Sequence, residues 1–547
     1  MKSTHRDQEA LLQWEGLQVP SRITRLEHAT ALLAGSSAAT ISRDDSYDLR
    51  CEVEGFSSEP FAPSIEFQSK RTGPFTFSGF SSGYAVSLTN CYLTQFDAKL
   101  DSDTGLYRNN SFRLAVDAYR VEQVAAGKWK KTTHIDWFLN GPQNFIFPRS
   151  SHHQHDSGYL RKVDGHPEFT LASGTSLPGQ SVDCAVVRLP AFSFILRTVP
   201  MQFGPSWSRN IAIEYSKKLS PIPDADTREA VAEIVSFVFG RRLIDVGDTA
   251  LTTYDSGFYM QTWDRSEAKL MPAEIKTDFA FHLRSWNPRG LNVRAMCSRI
   301  DFPPIPIGRL DGAKSQNIES VLAKLIPVYL QRRKSLALDD ALWRYWTFQE
   351  LPLGINLPML VTGIEILATA WFSSPSSASH GNFTPKKEFL GLLQEDLKSM
   401  RAKLARAAEL EPTMAHLQNQ GTLDALMQRM ENSFEMGPTA KTRAFFQELG
   451  VAPTIRQLES LKGRHAQVHS QAARKKPREL WSLSENLRTL FYKTMLRLLD
   501  YSGEYLDWAE QKSAVKLLRP LRRRNHETRA HAERPRQPGL RPDPGGD

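Results

Sequence analysis

Cysteine is scarce in this chain: four in 547 residues, at positions 51, 91, 184 and 297, with no CxxC pair. That excludes a dense disulfide framework and the common cysteine-based zinc sites, and it fits reduced, mostly buried thiols in a cytoplasmic protein. An N-terminal apolar run is missing too. Met1 to Glu9 is polar and leads into no hydrophobic segment, so no signal peptide is expected. An uninterrupted apolar stretch of bilayer length is also lacking. Leu351 to Phe372 comes nearest, but Glu365 near its middle, with Asn356 and Pro358, predicts a buried core helix and no membrane partner. No nucleotide-binding G-x-x-x-x-G-K-[ST] loop, no H-E-x-x-H and no internal repeat is present.

Charge of one sign is modest over most of the chain and concentrated at its end. The formal net charge is +9, and nine Lys/Arg against four Asp/Glu between Lys516 and Asp547 account for +5 of it. Arg522, Arg523, Arg524, Arg529, Arg534, Arg536 and Arg541 lie there among prolines, a composition that cannot build a core. Such a tail either solubilises or touches a polyanion such as RNA.

Hydrophobic content of 40% and charged content of 24% are those of a globular protein, and the length calls for more than one domain. The fold class predicted is α+β multidomain. Residues 1–310 read as β. Phe112 to Tyr119 alternates apolar and polar residues, and 47–53, 84–93, 132–139, 182–189, 192–199 and 211–215 read similarly. One helix interrupts them, from a capping box at Asp226 and Glu229 to a stop at Gly240. Pro303-Pro304-Ile305-Pro306 marks a rigid boundary. Residues 315–515 read as helices, including 318–334, 339–350, 357–372, 386–409, 422–435, 439–449, 454–462, 464–474 and 480–508. The charged 386–409 segment is expected to be an exposed arm of a helical hairpin. In the last segment Leu483, Leu487, Leu490, Phe491, Met495, Leu498, Tyr501, Tyr505 and Trp508 make one apolar stripe. Residues 516–547 are expected to be a disordered basic tail.

Chemistry points to Arg464-His465-Ala466-Gln467-Val468-His469. A histidine titrating near neutrality can take a proton from a ribose 2′-hydroxyl, and an arginine can stabilise the charge that grows on the attacked phosphate. Gly463 breaks the preceding helix, so Arg464 opens a new one, where free N–H groups suit a phosphate. Five residues at about 100° each put the two side chains about 140° apart on an ideal helix, so a pair of facing copies aligns them better than one copy does. The plainer alternative is a solvated Arg and a surface His.

The six residues resemble the R-x4-H motif of HEPN ribonucleases. Leu357 to Ala368, with Glu365 alone in an apolar run, resembles the early HEPN helix, and Leu480 to Trp508 resembles the long closing helix. Order and spacing are similar to the HEPN domain of Apea-type proteins, bacterial anti-phage defence proteins, over residues 330–512. Ala85 to Cys91 is similar to a strand of the Apea N-terminal domain. Many family members carry Asn after the Arg, where this chain has His465, another hydrogen-bonding residue.

The resemblance implies a metal-independent endoribonuclease with no cofactor. His469 would be general base or acid, and Arg464 would bind the scissile phosphate. His465 would orient the phosphate or its partner, and Glu365 would position Arg464. It implies RNA as substrate, tRNA being one candidate, a homodimer through the HEPN domain, and growth arrest on infection. A β-rich N-terminal domain would sense a phage-derived trigger. Arg474, Lys475 and Lys476 would guide RNA, unless they are a solvated helix end. Two other readings stay open. One is a non-catalytic HEPN module that dimerises and binds RNA. The other is a metal-dependent hydrolase at His152, His153, His155 and Asp156, where adjacent histidines can both ligate only in a loop.

Overall fold

The structure, a computed structural model, describes residues 20–519 apart from 29–35, 45–47, 56–73, 82–83, 101–106, 124–132, 144, 154–160, 164–165, 172–180, 200–207, 218, 252–278, 285–292, 309–314, 376, 378–385, 411–412, 415–419, 432–435, 463–475 and 511–513. Its first part is a closed barrel of six strands: β1 (Ser21–His28), β2 (Ser36–Arg43), β3 (Leu49–Gly55), β4 (Phe75–Ser81), β5 (Tyr84–Leu100) and β6 (Tyr107–Gln123). Antiparallel pairing runs β1–β2–β3–β6–β5–β4 and returns to β1. The two-residue alternation is the cause. In β3, Leu49, Cys51 and Val53 are buried while Arg50, Glu52 and Glu54 are exposed. The inward sets of all six strands meet in one core that includes Ile23, Ile41, Phe77, Leu88 and Leu114. Register shifts between β1 and β4 and between β4 and β5 supply the bends that closure needs.

β6 leaves the barrel at its far end. Glu54 to Leu49 pair with Ser111 to Val116, and Ala118 to Gln123 then pair with β15 (Phe279–Arg284). This opens a second antiparallel sheet made of β7 (Thr133–Leu139), β8 (Arg149–His153), β9 (Arg161–Val163), β10 (His166–Leu171), β11 (Ser181–Arg188), β12 (Ser193–Val199), β13 (Asn210–Ser216), β14 (Ile244–Leu251) and β15. Its order is β10–β9–β8–β11–β12–β13–β7–β14–β15. β7 is buried along its whole length because both faces of the sheet are covered. Ile135, Trp137 and Leu139 face the short helix α2 (Val293–Cys297), and Phe138 joins the core on the opposite face. There lies the helix read from the sequence, α1 (Ala225–Phe239). Its cap is Asp224, which accepts from Thr227 N at 2.8 Å, two residues before the cap expected at Asp226. Gly240 ends it with φ 66°, as expected.

The helical half continues this core. α3 (Ile318–Arg332), α4 (Leu338–Glu350), α5 (Leu357–Ser373), α8 (Pro438–Glu448), α9 (Ile455–Leu461) and α10 (Pro477–Leu498) pack together, and α3 packs on α1. Glu319 of α3 accepts from Val186 N at 2.7 Å and from Arg149 Nη2 at 2.8 Å, fixing that helix to β11 and β8. Between α5 and α8, α6 (Lys386–Leu410) and α7 (Gln420–Glu431) form the expected exposed hairpin, tied by an Arg401–Asp424 ion pair. α5 is the buried helix foreseen at 357–372, and no helix among the described residues is long and apolar enough to cross a membrane. All four cysteines are free and buried.

Three features differ from the sequence reading. The helix expected through Trp508 ends at Leu498. Asp500 adopts φ 53°, Asp500 N bonds Arg497 O at 3.0 Å, and Tyr501 N bonds Leu496 O at 2.9 Å, a Schellman termination. A hairpin follows, β16 (Gly503–Asp507) and β17 (Ala514–Leu518), and it carries Tyr505 into the same core. β17 also runs past 516, where the tail was expected to start, and the tail's arginines from Arg522 onward lie outside the described residues. Finally, Pro303 to Pro306 is no spacer. Ile305 is buried, Pro304 O accepts from Leu506 N at 2.9 Å, and one hydrophobic core runs from Phe138 to Leu518 across residues 310–315.

Candidate functional site

Two of the three segments that carry the sequence argument, α5 and α10, meet in the described structure. α5 and α10 pack side by side. At Gly363 an added Cβ would lie 3.3 Å from Arg344 Cβ and 3.7 Å from Phe491 Cε2, so the helices approach closely there. Glu365 sits half-buried on α5, three residues before its buried Ala368. Arg464, His465, His469, Arg474 and Lys475 fall in 463–475, outside the described residues. Both flanks of that connection are described. Upstream, α9 begins with a capping box: Thr454 Oγ1 accepts from Gln457 N, and Gln457 Oε1 accepts from Thr454 N. Downstream, Lys476 is the N-cap of α10 and Pro477 its first residue.

The flanks are locked to each other. Lys493, inside α10, donates to Ala452 O at 2.8 Å and to Gln457 Oε1 at 3.3 Å. Burial holds its ammonium below the ordinary lysine range. α8 is pinned onto α5 by Trp371 Nε1, which donates to Glu448 Oε2 at 2.8 Å. Tyr492 OH donates to Phe302 O at 2.5 Å, and the Arg488 guanidinium lies 3.7 Å from the Phe302 ring centre.

α10 is buried nearly all round from Ser484 to Leu498, polar residues included. Arg488 pairs with Glu485, whose carboxyl is pushed up by burial against the pull of that guanidinium. Ser484 Oγ, Glu485 Oε2, Arg488 Nε and Arg497 Nε are buried with no hydrogen-bond partner among the described residues. Buried polar atoms are ordinarily satisfied, and these four are exceptions. The apolar stripe drew the sequence reading to this helix, while its buried polar side went unread.

Elsewhere, His152 and His153 lie in strand β8 in register with Lys162 and Arg161, while His155 and Asp156 lie outside the described residues. The loop backbone that a double-histidine ligand would need at 152–153 is a strand. Gly79-Phe80-Ser81-Ser82-Gly83 spells a G-x-S-x-G pattern, although no such elbow was expected from the sequence. Ser81 ends β4 and its Oγ lies 2.7 Å from Ser21 Oγ, with β5 next in the chain, so the strand-to-helix elbow of a nucleophilic serine is not formed. A group of His134, Asp136 and Asp248 assembles on the sheet, and no sequence motif announced it.

No protein-family model, no curated protein and no solved structure matches the chain.

Proposed function

We propose that this protein is a HEPN-type endoribonuclease whose site lies on the connection between α9 and α10. The observation that carries the reading is the framing of that connection. Its described flanks are bonded to each other, by Lys493 bridging to Ala452 and Gln457, and the helix after it has buried unpaired polar atoms and packs beside α5, which bears Glu365.

In this reading His469 moves the 2′-hydroxyl proton, and Arg464 offsets the charge on the phosphate under attack. His465 orients that phosphate, and Glu365 on the neighbouring helix positions the guanidinium. Arg474, Lys475 and Lys476 supply the cationic approach for the RNA backbone. Two copies face each other through the helical half, which resolves the 140° offset of Arg464 and His469. The β-rich part before it would receive the trigger, and cleavage of host RNA would arrest growth.

The test is induced expression in bacteria of wild type and His469→Ala, followed by sequencing of RNA ends. New RNA ends in the wild type should fall by about two to four orders of magnitude in the variant, with thermal stability unchanged. Equal cleavage by a folded His469→Ala protein would end the proposal. Light scattering at micromolar concentration should report a dimer, and a strict monomer that cuts RNA would remove the paired-copy geometry.

A further inference from the structure

On the face of the second sheet that packs against α1, three neighbouring strands bring together side chains that are far apart in sequence. Asp136 of β7 stands directly opposite Asp248 of β14, and Asp248 stands opposite His282 of β15. His134 lies two residues along β7 from Asp136, on the same side of the strand. His134 Nε2 is 2.9 Å from Asp136 Oδ1 and 3.8 Å from Asp248 Oδ1. These three donor atoms lie within 4.8 Å of one another. All three residues are buried, at 2%, 6% and 2% relative exposure.

We propose that His134 Nε2, Asp136 Oδ1 and Asp248 Oδ1 form a binding site for one divalent transition-metal ion of the Zn2+ or Mn2+ type. The spacing fits. An ion with ligands at about 2.0–2.2 Å in tetrahedral array separates its donor atoms by about 3.3–3.6 Å, and the observed 2.9 and 3.8 Å bracket that range. One imidazole and two carboxylates suit these ions, and a three-residue set leaves coordination positions for water.

The surroundings are those of a ligand set held by outer partners. Arg228 Nε lies 3.2 Å from Asp136 Oδ2, on the oxygen away from His134. Arg284 binds Asp248 Oδ2 in the same way, and His282 Nδ1 lies 3.0 Å from Asp248 Oδ1. Each carboxylate is thus held by a guanidinium at Oδ2, while its Oδ1 faces His134 and carries one further donor, Arg228 Nε at 3.4 Å on Asp136 and His282 Nδ1 at 3.0 Å on Asp248. Arg284 also pairs with Asp245, so its charge is shared between two carboxylates.

Two buried polar atoms beside the cluster have no partner among the described residues: His134 Nδ1 and the hydroxyl of Tyr215, the residue opposite His134 on β13. Burial holds the His134 imidazole below its ordinary range even with two carboxylates beside it. His282 is 30% exposed at the β15 side, which gives an ion a way in. Nothing in this site involves the helical half, so it stands apart from the nuclease reading.

The experiment uses the full chain, stripped with chelator and dialysed, with Zn2+, Mn2+ and Mg2+ as separate probes. Calorimetry should give one Zn2+ or Mn2+ per chain and no comparable Mg2+ binding. The melting temperature should rise with the bound ion by mass action. Asp136→Asn and Asp248→Asn, which keep side-chain shape, should each weaken binding at least tenfold. Absence of one-to-one binding by the wild type overturns the site, as does unchanged affinity in a folded Asp136→Asn protein. Metal-edge absorption on the wild type guards against variants that fail to fold. A shell with one imidazole and oxygen is expected, and a shell of several imidazoles, as 152–156 would give, overturns the assignment.

Discussion

In the barrel, the apolar side of each strand faces the other strands across the lumen, and every member of that core lies between Ile23 and Tyr119. In the sheet–helix body, strands face helices drawn from the other end of the chain, and the core joins Phe138 to Leu518. The barrel is closed by pairing within one short stretch. The body closes only when residues hundreds of positions apart have met, a costlier and later event. The two therefore differ in what damage does to them. A fault in the barrel is local, whereas a fault in the body reaches the helices, and with them the candidate site. Each region also holds two of the four cysteines, Cys51 and Cys91 in the barrel and Cys184 and Cys297 in the body, so thiol labelling can read the regions separately.

The largest effect should come from Arg333, just after α3. Its guanidinium is buried, donating from Nε to Glu233 Oε2 at 2.7 Å, from Nη2 to Glu233 Oε1 at 2.8 Å and from Nη1 to Asp226 Oδ1 at 2.6 Å. It joins the helical half to α1. Arg333→Met leaves Glu233, whose carboxyl is already pushed up by burial, without its cation. Breaking such a pair from one side costs about 3–5 kcal/mol. Urea melts followed by thiol labelling should show Cys184 and Cys297 exposed early while Cys51 and Cys91 stay protected. Simultaneous exposure of all four thiols would mean that barrel and body are one cooperative unit.

A smaller and opposite fault is available at Gly79 in β4. A Cβ there would lie 2.7 Å from Ile23 Cγ2 and 2.8 Å from Thr24 O, at the β1–β4 seam that closes the barrel. Overpacking of this kind costs about 1–3 kcal/mol. Gly79→Ala should expose Cys51 and Cys91 at lower urea and leave the midpoint for Cys184 and Cys297 in place. RNA cleavage by the folded body should persist. Loss of cleavage in this variant would show that the site depends on the barrel and would break the comparison.

The same contrast explains what could be read in advance. Strands and helices were legible because period two and period 3.6 are local: Leu49, Cys51 and Val53 alternate with charged residues, and Gly240 stops α1 where a glycine should. The end of α10 was not legible, because Asp500 takes the left-handed position usually given to glycine and the hairpin beyond it preserves the helical spacing of Tyr501 and Tyr505. Barrel closure rests on β1 meeting β4, and a shared core rests on α3 meeting α1 and β11; neither pairing is written in any window of the chain. Of the candidate site, the two packed helices were foreseen, α10 from its apolar stripe and α5 from its apolar run. His134, Asp136, Asp248 and His282 were invisible as a group because three strands assemble them. The one local hint was two polar residues at alternate positions among Ile135, Trp137 and Leu139.

The smallest effect sharpens the comparison through proton linkage. Burial raises the thiol of Cys91 to about 12 and that of Cys297 to about 11, and it pushes Cys51 up as well. An unfolded thiol ionises near 8.5. Because the folded value is the higher one, this share of stability is complete below about pH 8.5 and is lost as pH climbs towards the folded value. Between pH 7.5 and 9.5 each such thiol should cost its region about 1.4 kcal/mol. The barrel has two of them and the body one, Cys297, among those with a raised value. The barrel's unfolding free energy should therefore fall about twice as much as the body's on this account. Cys91→Ala should halve the barrel's alkaline loss, whatever it does to the stability at pH 7.5, since the readout is the difference between the two pH values. An alkaline loss in Cys91→Ala equal to the wild type's would mean that the barrel opens without exposing this thiol, and the barrel would not be the separate unit its closed core describes.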